Sequence, residues 1–489
     1  DSRSAMSETR RILVVGGGLA GHMTAAALAA NLSDAFELSH LETAASSTDI
    51  LYGNVTAPDA YNFLLSVGAS EPRLMLEGDA AFSLGTRYSN WPCESGEWVQ
   101  SHHLALPVLE SVPFHHYLTR SKMALEPYLI SSAAAVRGVF AHPPQDARHP
   151  LSRAEYGYLL RPQSLAEIIA TSDTSKRVKR ITGEIFDLET SDGSIASIGL
   201  RSGRTLTADL YIDCTNTERR LIDRLGGDFQ LERDLGVFSS HDRVNQLGPA
   251  CRHVTAQDFG WQSTTPLQGQ VDRLTVFNPA SEQQARAAHK STPSRECSVG
   301  TGRLRHAWLG NCVAVGQAAY IDEPLPPAPL ILLQKDIERL LDLIPITAEM
   351  SLEGQEYNRR FDDDVSHAGL FQRALFETGS LPATDYWQNA VRRALPDKLQ
   401  RKLTQFKSRG IHVLYDLEPF NQEDWTILHY GMGRQPNRFD RQVDKLSPQQ
   451  VERQLTGMRQ SIEAIVAKMP PHHVYVDGLK RYLEKQNHA

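Results

Sequence analysis

No stretch of this 489-residue chain stays apolar for the ~18–20 residues that a membrane-crossing helix needs, so no spanning segment is expected. Positive charge is not in excess either. The 51 lysines and arginines face 58 aspartates and glutamates, a net charge of −7, which argues against nucleic acid or an anionic membrane as main partner. The five cysteines (Cys93, Cys214, Cys251, Cys297, Cys312) are odd in number, scattered and without a C-x-x-C pair. That pattern indicates neither a zinc site nor a disulfide framework, and reduced thiols in a cytoplasmic protein are the expectation. Internal repeats and low-complexity tracts are missing as well. With 41% hydrophobic and 22% charged residues the chain has material for a packed core, and its length matches two or three domains. Arg10-Arg11 before an apolar run imitates a signal peptide, but the glycines that follow speak against one. Residues 1–5 read as a cloning remnant ahead of Met6.

The most informative stretch is Ile12-Leu13-Val14-Val15-Gly16-Gly17-Gly18-Leu19-Ala20-Gly21, followed by an alanine-rich helical run. Gly16, Gly18 and Gly21 fit G-x-G-x-x-G after a strand and before a helix. The first glycine allows the turn, the second lets a pyrophosphate approach, and the third lets helix and strand pack closely. The phosphates would lie on the first helical N–H groups, around Leu19 and Ala20, where the dipole favours negative charge. A second apolar run, 36–41, ends at Glu42, roughly 20 residues on, where a carboxylate for a ribose hydroxyl belongs. The competing reading is a βαβ unit whose glycines serve packing alone, with Glu42 a surface acid.

Further on, 59–67 reads as a helix and 80–88 as one strand. Adjacent histidines at 102–103 and 115–116 point apart on either element type, so hydrogen-bonded or surface roles are expected, and no metal site. A helix at 162–171 precedes a β-meander: a strand at 178–188, a hairpin turn at Asp192-Gly193, a return strand at 195–200, then an apolar run into Cys214-Thr215. Such an order recurs in flavin-binding folds, whose last strand returns beside the first. The stretch 225–303 is mostly strand-like and would roof a substrate pocket. Asn311-Cys312-Val313-Ala314-Val315-Gly316 is another strand meeting a glycine, as near an isoalloxazine ring. The proline-rich turn Glu323-Pro324-Leu325-Pro326-Pro327-Ala328-Pro329 leads into a helix at about 330–343, with Pro329 suited to its first turn. The rest, from 348, is largely helical.

On these residues the chain resembles the flavin-dependent tryptophan halogenases, nearly end to end. Gly16 to Gly21 with Glu42 resemble the FAD fingerprint. Gly302-Arg303-Leu304-Arg305-His306-Ala307-Trp308-Leu309-Gly310-Asn311-Cys312-Val313-Ala314-Val315-Gly316 is similar to the long motif G-R-x-x-x-A-W-x-x-N-C-V-A-x-G. Trp425 with Tyr430-Gly431-Met432-Gly433-Arg434-Gln435-Pro436 resembles a segment of a less studied bacterial branch. The resemblance implies a mixed α/β fold: a Rossmann-like FAD-binding module of flavin monooxygenase type over 7–345, an interleaved β-sheet substrate region at about 80–160 and 225–305, and a helical C-terminal region, 346–489, completing the substrate module. It implies FAD as cofactor on Gly16, Gly18, Leu19, Ala20, Gly21, Glu42 and Gly316, a small-molecule ligand with an aromatic compound as one option, a separate flavin reductase where FAD turns over, and a homodimer as one option for assembly.

In that family reduced flavin and oxygen oxidise chloride or bromide. Hypohalous acid then travels down a tunnel to the substrate, guided by a lysine and a glutamate. Here the lysine position holds Ser83, which has no ammonium or amine. Arg87, four residues on and in phase along the expected strand, is a poor nucleophile. The glutamate position holds Pro326, and Pro327 and Pro329 lack the N–H groups that a halide site would use. In the W-x-W-x-I-P motif Trp261 and Pro266 survive and Ser263 replaces the second tryptophan. Asn54 stands where the flavin loop has its carboxylate. The expectation is a family member that is not a competent halogenase. Two roles stay open: a flavin-dependent oxidoreductase or monooxygenase, for which Asn54, Asp322 and Glu323 are the nearby polar candidates, and a non-catalytic FAD- or ligand-binding protein. A halogenase using substitute residues is the third.

Overall fold

Within Arg10–Val15 the run Ile12 to Val15 is aliphatic because it is buried on both sides of a sheet, as a central parallel strand requires. In the computed structural model, which describes residues 10–44, 47–91, 96–103, 106–146, 148–379 and 381–487, it pairs in parallel with Phe36–Glu42 on one side and Leu210–Asp213 on the other. The strand after the meander thus returns beside the first, as expected. Lys179–Thr182, Cys312–Ala314 and Trp308–Leu309 complete a six-stranded sheet. The helix Leu19–Asn31 is apolar nearly all round, the signature of a helix with no solvent face, and from Leu19 to Ala29 only His22 is not fully buried.

A second sheet of eight strands runs from Tyr320–Ile321 through Arg295–Leu304, Phe229–Arg243, Gln270–Phe277, Gly260–Leu267 and Arg252–Gln257 to Gly85–Ser89 and Glu97–Ser101. Ala328–Asp342, which starts within the proline turn, packs on Leu19–Asn31 and on Ser351–Ala374. The later helices cover the second sheet and its flank: Gln422–Gly431 lies on Glu97–Ser101, Pro448–Val466 on Ile130–Arg137, and His472–Asn487 on Glu71–Glu77. Gly431 admits the Trp98 ring so closely that a Cβ there would collide with it.

Two expected strands are each divided. The run 80–88 forms Ala81–Ser83, paired with Gly157–Leu159, and then Gly85–Ser89 in the eight-stranded sheet. Gly85, at φ +140°, makes the crossing, and a Cβ would collide with the Gln100 carbonyl. Ser83 and Arg87 therefore do not share a strand face. The run 178–188 likewise splits around Gly183: Lys179–Thr182 joins the six-stranded sheet, while Ile185–Ser191 opens a separate meander with Ser194–Leu200 and Thr205–Leu206. Its hairpin turn has Asp192 at φ +50° and Gly193 at φ +74°, the pair of positive angles that a tight two-residue turn demands. Among the described residues no helix is long and apolar enough to cross a membrane. Cys93 and residues 1–5 lie outside the described residues.

Candidate functional site

The glycine turn adopts the geometry its sequence asks for. Gly16 has φ +143°, and a Cβ would strike the Cys214 carbonyl; one on Gly21 would strike the carbonyl of Gly16. Helix, turn and the Leu210–Asp213 strand therefore meet at backbone contact distance. Glu42 ends the second strand, where the spacing put it. It is not free: Arg180 donates to its carboxylate from Nε at 2.5 Å, and His40 Nδ1 lies 3.8 Å away. Partial burial alone would raise its pKa, but Arg180 and His40 outweigh that and hold it below the ordinary value.

What lies against the turn was not expected from sequence. Ser47–Tyr52 is a 3-10 turn, in which residues three apart eclipse and face the same way. Asp49 and Tyr52 are such a pair. The Leu19 N–H donates to Asp49 Oδ2 at 3.0 Å, and Asn216 Nδ2 donates to Oδ1 at 2.8 Å. A Cβ on Gly18 would lie 2.5 Å from that carboxylate. Asp49 is only 5% exposed and, among the described residues, forms no ion pair. Burial raises its pKa against the pull of Leu19 and Asn216. At the other end of the cradle Gly316, at φ +65°, lies so close beneath the Tyr52 hydroxyl that a Cβ would collide with it. The Gln317 N–H donates to that hydroxyl at 3.0 Å, and Gln317 Nε2 donates to the Thr48 carbonyl at 2.9 Å. Asn216 Oδ1 and Gln317 Oε1 are buried with no partner.

The test of fit to FAD is thus divided. The backbone of Gly16 to Gly21 and Gly316 has the form of a dinucleotide cradle. The donor at Leu19 and the space above Gly316 are held by the chain's own Asp49 and Tyr52. Sequence reasoning missed these two residues; the signal was their three-residue spacing in a short polar turn just past Glu42.

Ser83 and Pro326, the two replaced positions, give no reactive group. Ser83 is fully buried, and its hydroxyl accepts the Gly85 N–H at 3.2 Å. The proline turn is clamped from outside. Tyr88 OH donates to the Leu325 carbonyl at 3.1 Å, and the buried Arg252 guanidinium donates to the Pro324 carbonyl at 2.6 Å and to that of Leu325. Arg87, the nearest cation in sequence to Ser83, is spent on an ion pair with Glu97. Asn54 bonds the Leu160 carbonyl at 3.0 Å.

Glu323 is a structural knot. Trp261 Nε1 donates to its Oε2 at 2.5 Å, Tyr386 OH donates to the same oxygen, and Arg233 pairs with the other. Asp322, next to it, accepts from Tyr320 OH at 3.0 Å, and burial pushes it up to about 6 against the pull of Arg233. Arg233 and Asp322 also line a cleft of about 1000 Å³ with Arg373, Gln372 and Phe376, a size that admits a small-molecule ligand.

Of the paired histidines, His115 Nε2 donates to the Gly410 carbonyl at 2.7 Å and His116 accepts the Asp440 N–H at 3.2 Å, whereas His102 Nε2 is buried without a partner, neither hydrogen-bonded there nor at the surface. The one metal-like grouping among the described residues is His22, His40 and Glu42, and the Arg180 cation on Glu42 opposes a metal there.

Comparison with known proteins agrees with this architecture. The family model described as tryptophan halogenase matches residues 11–448. Tryptophan 7-halogenase KtzQ of Kutzneria sp. is 24% identical, over 96% of this chain and 98% of its own length. The solved structure of BrvH, a flavin-dependent halogenase from Brevundimonas sp. BAL3, superposes with a TM-score of 0.88 at 26% identity, covering 96% of this chain and 99% of that one. The structure of Xcc4156, a flavin-dependent halogenase from Xanthomonas campestris, shares the fold with a TM-score of 0.87 at 24% identity, over 97% and 98% of the two chains.

Proposed function

The chain belongs to the tryptophan halogenase family, and we propose that it is a member that does not halogenate. One observation carries this: Ser83, at the position of the guiding lysine, is fully buried and bonded to its own turn. A serine hydroxyl held this way offers neither a cation for hypohalous acid nor an amine to react with it. The proline run adds to this, because Pro326 has no carboxylate and Pro327 and Pro329 have no N–H for a halide. Incubation with FAD, a flavin reductase, oxygen and bromide tests it on electron-rich indoles and phenols. The expected yield is that of free flavin alone; bromination well above that background defeats the proposal.

The role that fits best is an FAD-dependent oxidoreductase or monooxygenase acting on an aromatic ligand. Gly16, Gly18, Leu19, Ala20, Gly21, Glu42 and Gly316 would hold the cofactor, which supplies redox chemistry when bound. A separate reductase would supply electrons, as no second dinucleotide fingerprint is visible. The cleft at Arg233, Arg373 and Phe376 offers a ligand both charge and an aromatic wall. A second reading, a ligand-binding protein without catalysis, is favoured by Asp49, which sits on the Leu19 donor that a pyrophosphate needs. Purified protein separates them: bound, reducible flavin that reoxidises with coupled turnover supports an enzyme, and colourless protein indifferent to FAD supports binding alone.

A further inference from the structure

Asp49 is a carboxylate buried where a glycine turn and a helix N-terminus are shaped for an anion. Gly18 has no side chain with which to cap its own helix, and Asp49 caps it from thirty residues away. A buried carboxylate without a paired cation is costly unless donors and a dipole compensate. Here Leu19, Asn216 and the helix end do so, which is the physics of a phosphate site realised with the chain's own anion. Tyr52 closes the other end, over Gly316.

We propose that Asp49 sets the affinity of this chain for FAD: with Tyr52 it occupies the cradle as an internal ligand, and a pyrophosphate enters only when Ser47–Tyr52 moves out. This rests on the flavoprotein reading above. Asp49 and a pyrophosphate are both anions and compete for one donor, so they exclude each other. The closed arrangement is itself incompletely satisfied, since Asn216 Oδ1 and Gln317 Oε1 are buried without donors. FAD carries ribityl hydroxyls of the kind such atoms lack. Only the open fraction of the protein binds, and the apparent affinity falls in proportion to it.

The test titrates the full chain with FAD, ADP and riboflavin, read by flavin fluorescence or calorimetry, and follows the thermal midpoint with and without FAD. Asp49→Ala is expected to tighten FAD and ADP by about tenfold or more, and riboflavin by less, because riboflavin gains from the opened Ser47–Tyr52 but has no phosphate to gain from the lost charge. Its midpoint should fall without ligand, because the cap is lost, and recover with saturating FAD. Asp49→Asn, which keeps an oxygen acceptor for the Leu19 N–H but removes the charge, should tighten FAD in the same direction. It carries the test if Asp49→Ala fails to fold. Unchanged or weaker FAD binding in the folded variants overturns the proposal. If wild type and variants bind FAD equally well, the internal ligand is wrong and the flavoprotein reading stands. If none binds FAD, both fall.

Discussion

The glycine turn at Gly16 to Gly21 and the positions Ser83 and Pro326, which the family resemblance would assign to one flavin site, differ in what the fold asks of them. At the turn the expected residue types are all present, because backbone meets backbone there and nothing larger than hydrogen fits between Gly16 and Cys214. Ser83 and Pro326 carry neither an amine nor a carboxylate, and the backbone holds without them. A residue with a duty in packing is fixed by the fold whether or not a cofactor comes. A residue whose only duty is chemical leaves no structural trace when it is replaced. The cradle's glycines are therefore weak evidence of flavin use by themselves, and what fills the cradle is the stronger evidence.

This contrast can be broken by substitution. The largest effect is expected at Gly16→Ala, whose Cβ would meet the Cys214 carbonyl at a positive φ. We expect a loss of about 4 kcal/mol or insoluble expression, checked by urea unfolding; a mild effect would mean the turn has slack and its glycines serve a ligand instead. Next comes Ser83→Lys, which buries an ammonium in a filled site. It should cost about 3 kcal/mol and restore no bromination even beside Pro326→Glu, whereas Ser83→Ala should cost about 1 kcal/mol or less. Recovered bromination would show a halogenase pocket lacking only its reagents.

A smaller effect has a pH signature. Burial pushes Asp272, which faces Asn54, up to about 6. A raised carboxyl pKa favours the folded state while the group is protonated, and that contribution is lost as pH rises from about 4 through 6. Asp272→Asn should therefore raise the thermal midpoint at pH 7.5, by about 1–2 kcal/mol in stability, with the gain vanishing near pH 4. The smallest effect is expected at Gly193→Ala. This glycine also has a positive φ, but a Cβ there meets nothing within 4 Å, so backbone strain alone should cost about 1 kcal/mol. The gap between Gly193 and Gly16 measures the packing duty directly.

Much of the fold was legible because it is written in local rules. The strand, turn and helix at the N-terminus, the Asp192-Gly193 hairpin and the helix after the proline turn follow from patterning and from residues with restricted backbones; the return of Leu210–Asp213 beside the first strand was expected only from the element order of flavin-binding folds. The division of 80–88 at Gly85 did not, because a crossing between sheets depends on where Gly157–Leu159 and Glu97–Ser101 lie. The placement of the glycines at the turn and of Glu42 at the end of the second strand was legible. Arg180 on Glu42, Arg252 on the proline turn and Asn216 on Asp49 were not, each coming from a segment remote in sequence.

The sequence by itself determined the family, the glycine turn and the absence of an amine at 83 and of a carboxylate at 326, since these depend on residue identity and short-range geometry. Only the tertiary structure decided that Asp49 and Tyr52 fill that cradle and that Glu323 is a buried knot rather than a free base. Such facts depend on which distant side chains meet, and that is set when the whole chain packs.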